Sequence, residues 1–476
     1  MKDKESYSRR GPQGPEVASR TESIPAERTG EEQFLRQILV RAQMSEFAQD
    51  PFIMSRANGV HYWDVHGKQY LDGISGIYVV SVGHSNPRVM DAIRRQMEVL
   101  HFSPTMHGSN PLAVELANRL VAVAPGDLDA VKLLSGGSEV TEAAITMARQ
   151  YHRLTGSPTK YKIISRYKSW HGSTMGSLSA SGLTSRRSMR EPLAPGFIHV
   201  FPPTCYRCPF GKEYPDCEIT CASLIGDVIE SEGPETVAAV IVEPIGHTGG
   251  IIEPPEEYLP QLRELCDRHN VLLIFDEIIT GMGRTGQMFA AETFGVLPDL
   301  LCVGKGLSGG YAPLSAMLCR RHIADAFWGD PATNPGFVAG HTFEGNPISC
   351  VAGLATLAEI VERDLCANAR EVGDHLRRGL EGLRRHGIIG DIRGRGLFLG
   401  VEFVRDPETK EPFSDRIAIG KRIGKRALEH GLLTRFDPNW IALGPPLILT
   451  PREADQIVAI LDRSIGEVLV ELEETK

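Results

Sequence analysis

The chain has 476 residues, of which 42% are hydrophobic, so it can fill a large core and exceeds the size at which single cores usually divide. It carries 51 Lys and Arg against 60 Asp and Glu, a net charge of −9, which argues against a nucleic-acid binder. No apolar run approaches the ~20 residues of a membrane helix, and the first residues lack the hydrophobic segment of a signal peptide. We therefore expect a cytoplasmic protein without membrane contact.

The first elements in chain order are a tail, a small β-structure and a helix. Residues 1–30 are rich in Ser, Arg, Glu, Gly and Pro, a composition that predicts a flexible tail. Residues 58–73 alternate apolar and polar side chains around glycines, which predicts a hairpin or meander, and a helical pattern begins at Pro87. We assign residues 31–85 to an N-terminal segment that contributes to a small domain and to an interface.

Strand-like and helical segments alternate over the central part of the chain. The apolar strands are DAVKLLS, YKIISR, VAAVIVEP, VLLIFDE and DLLCVGK, and amphipathic helical patterns lie around them. This order indicates an α/β fold with a mostly parallel sheet covered on both faces, which we assign to a large domain of residues 86–340. Two long helical patterns, a Gly-rich strand pair, a helix, a strand and a last helix then predict a smaller α+β domain over residues 341–476.

Asp276 and Lys305 each follow one of these apolar strands. Lysine forms Schiff bases with carbonyl cofactors, and an acidic group pairs with the pyridinium nitrogen of pyridoxal phosphate. A carboxylate beside that nitrogen keeps the ring protonated, because an opposite charge favours the charged form. The pair therefore predicts pyridoxal 5′-phosphate as the cofactor, although a solvated carboxylate and a surface lysine are the plainer interpretation of each residue alone.

Further residues fit the same cofactor. A Gly-Gly-Ser turn opens a long helix, so the N–H groups of Gly137 and Ser138 lie at a positive helix end that favours phosphate, unless Ser138 is only an N-cap. Trp170 follows the next strand, where its indole can stack on a pyridine ring. Ile278, two residues after Asp276, can press on the other face of the ring.

Eight motifs follow one another along the chain: GGSEVTEAA, SWHGST, IVEPIGHTGGIIEPP, LLIFDEIITGMGRTG, the Lys305 loop, HTFEGNPISCVAGLATL, IRGRGLFLGVEF and IALGPPLILT. From about residue 50 to the C-terminus the chain resembles the class III (subgroup II) aminotransferases, which have the type I pyridoxal-phosphate fold. The resemblance implies Lys305 as the Schiff-base lysine, Asp276 at the ring nitrogen, Trp170 on the ring, and Gly137 and Ser138 on the phosphate. It also implies a homodimer in which Thr342 reaches the phosphate of the neighbouring subunit's cofactor.

Other residues indicate which branch of this family the chain resembles. Thr248 and Ile279 stand where ornithine- and 4-aminobutyrate-type members carry Glu and Gln. Arg435, ten residues before a Pro-Pro pair, is similar by spacing to the mobile arginine of ω-amino acid and amine:pyruvate transaminases, and it suits a carboxylate because its planar fork makes two parallel hydrogen bonds. Tyr78 falls where those enzymes have a pocket aromatic, so Tyr78, Trp170 and Arg435 are the expected substrate residues.

The resemblance implies a ping-pong exchange. An amine donor displaces Lys305 from the cofactor, and the freed lysine moves a proton from the donor's α-carbon to the cofactor's C4′ carbon. The amino group then passes to a keto acid, for which we expect pyruvate held by Arg435. The donor is an ω-amino acid or an amine, and the sequence leaves its identity open.

Two other functions remain open at this stage. Trp170 and the GGIIEPP segment are also similar to dialkylglycine decarboxylases, so a decarboxylating transaminase or an epimerase on the same scaffold is an alternative, although Ala442 occupies the position of an arginine in those enzymes. The sequence GMGRTG at residues 281–286 fits the pattern GxGxxG, and Asp299 lies downstream of it. That pair would indicate an NAD-dependent oxidoreductase.

Four of the nine cysteines form a separate cluster in the sequence. Cys205, Cys208, Cys217 and Cys221 have the spacing C-x2-C-x8-C-x3-C, which could enclose zinc in a tetrahedral site. Pyridoxal chemistry does not require a metal, and thiols stay reduced in the cytoplasm. We therefore predict no metal, with these four cysteines as the candidates if one binds.

Overall fold

The structure is a computed structural model, and it describes residues 39–40, 43–49, 51–105 and 107–474. The predicted tail of residues 1–30 lies outside the described residues. The chain divides at Ile53 into two units, and the described part of the first contains helix α1 (Met44–Gln49). The second unit holds the three sheets described below.

The strands of the second unit form one seven-stranded and two four-stranded sheets. In chain order they are β1 (Met54–Asn58), β2 (His61–Asp64), β3 (Gln69–Asp72), β4 (Leu128–Leu134), β5 (Lys162–Arg166), β6 (Phe197–Val200), β7 (Val237–Val242), β8 (Leu272–Asp276), β9 (Leu300–Val303), β10 (Ser315–Arg320), β11 (Ile389–Arg395), β12 (Phe398–Phe403), β13 (Leu432–Leu433), β14 (Arg435–Asp437) and β15 (Trp440–Leu443).

Helices surround these sheets, and a kinked helical turn (Ser75–Tyr78) precedes the first of them. They are α2 (Pro87–Val99), α3 (Pro111–Val123), α4 (Gly137–Leu154), α5 (Met175–Ala180), α6 (Thr184–Arg187), α7 (Thr220–Glu232), α8 (Tyr258–Arg268), α9 (Ala290–Phe294), α10 (Arg321–Asp325), α11 (Pro347–Glu362), α12 (Leu365–Glu381), α13 (Ile419–Glu429) and α14 (Pro451–Glu474). Within the described residues, none of the helices is long and apolar enough to cross a bilayer.

The seven-stranded sheet has the order β4-β10-β9-β8-β7-β5-β6 and is parallel except for β10, which pairs antiparallel with β4 and β9. All residues of β7, β8 and β9 are buried, as expected for strands covered by helices on both faces. The predicted mostly parallel sheet is confirmed, although β6 and β10 were not predicted. Because the other strands share one direction, their carboxyl ends meet at a single edge of the sheet.

One of the two smaller sheets joins the two ends of the second unit, and the other is formed by strands near the C-terminal end alone. Strands β1, β2 and β3 form an antiparallel meander: β2 and β3 lie within the predicted residues 58–73, whereas β1 precedes them except for Asn58. Strand β13 adds to β3 in parallel, with Leu432 opposite Leu71. The predicted Gly-rich strand pair is β11 and β12, which continue into β15 and β14. The division of the chain at residues 31–85, 86–340 and 341–476 stays a prediction.

An Asn-Pro pair begins each of three neighbouring helices. Asn86, Asn110 and Asn346 are the N-caps of α2, α3 and α11, and each side chain accepts hydrogen bonds from backbone N–H groups of the first turn. Proline at the next position suits the helix start, because its missing N–H would have no partner there. Helix α11 packs against both α2 and α3, so the three caps fix one helical layer.

We expect Gly373→Ala to destabilise the fold by about 1–3 kcal/mol, as overpacking usually does. A Cβ at Gly373 in α12 would lie 2.2 Å from the carbonyl oxygen of Gly396, a backbone atom that cannot turn aside. Gly382→Ala is the matched control, because Gly382 ends the same helix in a helical conformation and a Cβ there meets nothing within 4 Å. Thermal unfolding measures both, and equal melting temperatures for the two variants would contradict the proposed clash.

Candidate active site

A cavity of about 170 Å³ lies at the carboxyl edge of the large sheet. We name it the cofactor cavity, and its lining residues follow five strands of that sheet, β4, β5, β7, β8 and β9. They are Gly137, Ser138, Trp170, His171, Gly172, Glu243, Ile245, Asp276, Ile278, Ile279, Thr280 and Lys305. The structure thus brings together six of the predicted site residues: Gly137, Ser138, Trp170, Asp276, Ile278 and Lys305.

The carboxylate of Asp276 is buried and held at both oxygens. Its Oδ2 lies 2.7 Å from Nδ1 of His171, which is buried as well, and its Oδ1 accepts a hydrogen bond from the N–H of Ile278 at 3.1 Å. A buried carboxylate without partners is costly, so these two contacts satisfy the group and fix its orientation. In the described residues, the second ring nitrogen of His171 is buried without a hydrogen-bond partner.

A second buried carboxylate, Glu243, positions the segment that carries Trp170. One oxygen of Glu243 accepts the N–H of Trp170 at 2.8 Å and the other accepts the N–H of His247 at 2.8 Å. Burial raises the pKa of Glu243, the charge of His171 opposes that rise and the carboxylate of Asp276 adds to it. Glu243 thus ties two loops to the floor of the cavity.

The first turn of α4 presents backbone N–H groups to the cofactor cavity. Its N-cap is Gly136, which has no side chain to occupy those groups, and Ser138 is the second residue of the helix rather than its cap. The hydroxyl of Ser138 accepts the N–H of Ser173 at 2.9 Å. At Gly172, where φ is +149°, a Cβ would lie 2.7 Å from this hydroxyl oxygen, so only glycine allows the close approach. The turn has the form of a phosphate cradle.

Lys305 begins a 3₁₀ turn, Lys305–Leu307, directly after β9. Its φ of +42° lies in the left-handed region, which costs a residue with a Cβ roughly 1–2 kcal/mol. The neighbouring Gly306 is anchored by its carbonyl, which accepts a hydrogen bond from the buried hydroxyl of Ser81 at 2.8 Å. The surrounding structure thus maintains a backbone conformation that brings Lys305 to the same cavity as Asp276.

Three predicted residues lie outside the lining of this cavity. Tyr78 is fully buried, with its ring against His247 at 4.7 Å and Phe398 at 5.5 Å between centroids. Its hydroxyl has no hydrogen-bond partner within the described part of the chain, and burial raises its pKa. Thr342 is exposed on the surface. Arg435 lines a different cavity.

The cavity that Arg435 lines has a volume of about 580 Å³, and we name it the large cavity. Thr248 also lines it, and the Thr248 hydroxyl donates to the carbonyl of Lys168. In the β14–β15 pair Arg435 lies directly opposite Ala442, so the two side chains share one face of the sheet. The arginine expected of a dialkylglycine decarboxylase at position 442 is thus absent, and the cation on that face comes from the facing strand.

The glycine-rich segment 281–286 does not form a dinucleotide site. Met282, Gly283 and Gly286 have left-handed φ values of 60°, 91° and 93°, and the five-residue helix α9 does not begin until Ala290. The carboxylate of Asp299 accepts the N–H of Leu273 at 2.7 Å and pairs with Arg263, so it supports β8 instead of a ribose. The NAD-dependent alternative is therefore wrong.

The four clustered cysteines line one small cavity of about 20 Å³. All nine cysteines of the chain are free thiols, and among the described residues no group of three or more His, Cys, Asp or Glu side chains could hold a metal ion. Burial raises the pKa of Cys205 to about 11 and that of Cys221 to about 12, and these thiols are therefore protonated at neutral pH.

Sequence reasoning missed His171, Glu243 and Thr280 as lining residues. His171 follows Trp170 directly, and Glu243 ends the apolar run of β7 as Asp276 ends β8, so both had a positional signal. The side chain of Thr280 donates to Glu277, a buried carboxylate that also caps α9 through the N–H groups of Ala290 and Ala291. Nothing in the sequence indicates that loop geometry.

Comparisons with known proteins agree on one family. The family described as "Aminotransferase class-III" matches residues 44–465. A probable aminotransferase of Mycobacterium tuberculosis is 41% identical over 419 residues, 87% of this chain and 89% of that protein, and a taurine–pyruvate aminotransferase of Bilophila wadsworthia is 37% identical over 88% of this chain and 93% of its own length. The crystal structure of an (S)-enantioselective omega-transaminase from Thermomicrobium roseum superposes with a TM-score of 0.88 at 34% identity, covering 93% of this chain and 98% of that one.

We expect His171→Ala to weaken binding of pyridoxal phosphate by about tenfold or more, because a hydrogen bond to a charged group contributes about 1.5–3 kcal/mol and Asp276 loses one here. Titration of the apoprotein with the cofactor measures the affinity. His152→Ala is the matched control: His152 is also buried and donates from Nε2 to the carbonyl of Ala238 at 2.9 Å, but it lies outside the cavity lining. The same loss of cofactor affinity in both variants would show a general packing effect instead.

Proposed function

Because the chain belongs to the class III aminotransferases, which are pyridoxal-phosphate enzymes of fold type I, we propose that it transfers the amino group of an ω-amino acid or amine to pyruvate. One observation carries the assignment of the site: Lys305 and Asp276, from different strands, line the same cavity. A lysine and a buried carboxylate that can share one aromatic aldehyde are the two groups this chemistry requires.

The residues of the cofactor cavity fit pyridoxal phosphate. The uncapped first turn of α4, with Gly137 and Ser138, suits the phosphate, and the fixed carboxylate of Asp276 suits the ring nitrogen. Trp170 and Ile278 would hold the two faces of the ring. The arrangement places an acceptor for the ring's proton and donors for the phosphate in one buried space, so the cofactor would be oriented at both ends.

Bound pyridoxal phosphate supplies an aldehyde carbon that exchanges amino groups and a protonated ring that withdraws electrons from the substrate's α-carbon. Lys305 would hold the aldehyde carbon between turnovers, and its amine, once free, would carry a proton between the donor's α-carbon and the C4′ carbon. Asp276, oriented by His171, would pair with the ring nitrogen and favour its protonated form. The same lysine serves both halves of the ping-pong cycle.

Two features favour pyruvate as acceptor. Arg435 offers a planar fork for one carboxylate, and pyruvate carries one. Thr248 stands where enzymes of the ornithine and 4-aminobutyrate type carry a glutamate, and its hydroxyl is bound to a backbone carbonyl, so it offers Arg435 no negative charge. A relative named as a taurine–pyruvate aminotransferase supports the same choice. The proposed donor class, an ω-amino acid or amine, is supported by the same taurine–pyruvate aminotransferase and by the similar omega-transaminase structure.

We also propose a homodimer with shared active sites. Thr342 lies next to Phe343, whose large apolar side chain is 61% exposed, and the ring of Phe343 contacts Phe102 at 6.0 Å. Val99 is 79% exposed and Leu100 is partly exposed at the end of α2, which leads into the Phe102 segment. Exposed apolar surface of this kind marks association sites. A two-fold contact here would bring the partner's Thr342 to the phosphate.

A cytoplasmic location fits the cysteines. All nine are free thiols, including four that share one small cavity. A reducing compartment maintains that state, whereas an oxidising one favours disulfides. We therefore place the enzyme in the cytoplasm.

We expect Lys305→Ala to remove the visible absorbance of the holoenzyme and to lower turnover by at least about 10²-fold, because the variant loses the group that binds the aldehyde and moves the proton. Turnover is measured as alanine formed from pyruvate with β-alanine, taurine and arylalkylamines as donors, beside glutamate formed from 2-oxoglutarate. Lys162→Ala is the control, since Lys162 pairs with Glu232 outside the cavity. Unchanged colour and turnover in Lys305→Ala would refute the assignment, and glutamate as the main product would refute pyruvate.

Subunit exchange tests the shared site. Thr342→Asp would place a carboxylate beside the partner subunit's phosphate, so its homodimers should be inactive, as should those of Lys305→Ala. In mixed dimers the two defects fall in one site, and co-expression of the two chains in equal amounts should restore about a quarter of wild-type activity, because half of the dimers then carry one intact site. Lys305→Ala with Asp276→Ala is the control that should stay inactive, since both residues act within their own subunit. No recovery in the first mixture would contradict the shared site.

A further inference from the structure

The volume of the large cavity, about 580 Å³, falls within the range of about 300–1,000 Å³ that is usual for small-molecule sites. Among the described residues, its lining has no member in common with that of the cofactor cavity. The lining combines the aromatic rings of Tyr206, Tyr214 and Trp440 with several basic side chains. The basic residues are Lys168, Arg186, Arg207, Arg393 and Arg435.

Two of these arginines share two carboxylates. Arg393 pairs with Asp391 at 2.9 Å and with Glu402 at 2.6 Å, and Arg207 pairs with Glu402 at 3.0 Å. The charges of these three partners of Glu402 and its neighbour also act on Lys168. The amine of Lys168 itself makes no hydrogen bond or ion pair with any residue that the structure describes. Three basic groups therefore face two acidic ones.

A second set of charges has the same imbalance. Arg435 pairs with Asp437 at 2.6 Å, and the charge of Arg186 acts on the same aspartate. The guanidinium of Arg186 makes no hydrogen bond or ion pair within the described part of the chain. Two basic groups therefore face one acidic group here.

Two other acidic residues line the large cavity. Glu253 pairs with Arg395 at 2.5 Å, so its charge is already balanced. Asp415 is exposed and makes no ion pair with a described residue, and water and salt screen its charge. Lys168 and Arg186 thus remain as the two cations available to a ligand.

One rigid junction places both of these cations. The N–H of Lys168 donates to the carbonyl of Gly182 at 3.1 Å, and the N–H of Gly182 donates to the carbonyl of Ser169 at 3.1 Å. A Cβ at Gly182 would clash with the carbonyl oxygen of Arg166, so only glycine allows this approach. Helix α6, which carries Arg186, follows Gly182 almost directly. The same backbone contact therefore fixes the positions of Lys168 and of the helix with Arg186.

Lys168 also has an unfavourable backbone conformation. Its φ of +60° lies in the left-handed region, and its carbonyl accepts a hydrogen bond from the hydroxyl of Thr248. Residues held in this way are concentrated at functional sites. Burial lowers the pKa of Lys168, Glu402 opposes this effect, and the two neighbouring arginines add to it. An acidic ligand group beside the amine would favour its charged form.

Trp440 separates the two sets of charges. It lies opposite Glu402 of β12 on one side and opposite Asp437 of β14 on the other. Adjacent strands are about 4.8 Å apart, so Glu402 and Asp437 are separated by about 10 Å across the indole. Two acid groups joined by a carbon chain suit this spacing better than one compact anion does.

We propose that the large cavity binds an organic acid with two carboxylates on a short carbon chain, one held by Lys168 and the other by Arg186. The carbon chain lies along the indole of Trp440, and the two carboxylates balance the two cations. The site is additional to the proposed transamination, because the linings of the two cavities are separate. Its ligand therefore need not react.

The test is a calorimetric titration of the holoenzyme with succinate, which has neither an amine nor a keto group and cannot take part in transamination. We expect saturable binding of one succinate per chain. Lys168→Met and Arg186→Met should each weaken it by about tenfold, because each variant loses a hydrogen bond between charged groups. Asp415→Asn should strengthen binding by about twofold, because it removes a negative charge from the lining.

Two further variants separate this site from general effects of charge. Lys421→Met is the matched control, since Lys421 is exposed on α13 and lies outside the lining, and its affinity for succinate should equal that of the wild type. Arg186→Lys keeps the charge and should retain most of the affinity, which excludes misfolding as the cause of the loss in Arg186→Met.

The proposal is overturned if succinate does not bind, if Lys168→Met and Arg186→Met bind it as the wild type does, or if Lys421→Met weakens it equally. Inorganic phosphate that binds as tightly as succinate would overturn the assignment to a dicarboxylate. Turnover and visible absorbance, measured on the same preparations, report on the proposed function separately, because succinate binding requires neither.

Discussion

The shared direction of the strands in the large sheet is the constraint on which the site depends. Because β4, β5, β7, β8 and β9 all end at one edge, residues from Gly137 to Lys305 reach a common cavity although 168 positions separate them in the chain. The antiparallel β10 sits between β4 and β9 without disturbing this, since it only spaces the two strands apart. The edge is also buried, and every polar group placed there needs a partner.

That requirement accounts for the pairs around the cavity. Asp276 is oriented by His171, and Glu243 binds two backbone N–H groups. The start of α4 is different, because its N-cap, Gly136, has no side chain that could accept hydrogen bonds from the first N–H groups of the helix. Those N–H groups are left to a ligand. The protein thus satisfies its carboxylates internally and leaves a helix end unsatisfied, a combination that suits a cofactor with a cationic ring and an anionic phosphate.

Many features of the fold and of the candidate site could be predicted where neighbouring residues in the sequence carried the information. Strand ends marked Asp276 and Lys305, and apolar periodicity marked the helices. Nothing local indicates that β13 pairs with β3, since Leu432 and Leu71 are 361 positions apart. Nor does the local sequence indicate that Gly136, and not Ser138, is the N-cap of α4. Such features depend on tertiary packing, which overrides propensity. The same holds for the burial of Tyr78 against His247, and its role as a substrate residue stays a prediction.

Two aspartates, Asp276 in the cofactor cavity and Asp437 in the large cavity, differ in what holds them. Asp276 is buried, with His171 of a neighbouring loop and the backbone N–H of Ile278 as partners, so its orientation is fixed before any ligand arrives. Asp437 is 37% exposed, and its partner Arg435 is a long, flexible side chain from the same short strand. A fixed carboxylate suits a bound cofactor, because it would need no rearrangement to meet the ring nitrogen. The partly exposed pair of Asp437 and Arg435 contributes little to stability, so it can rearrange at small cost, which the buried pair of Asp276 and His171 cannot.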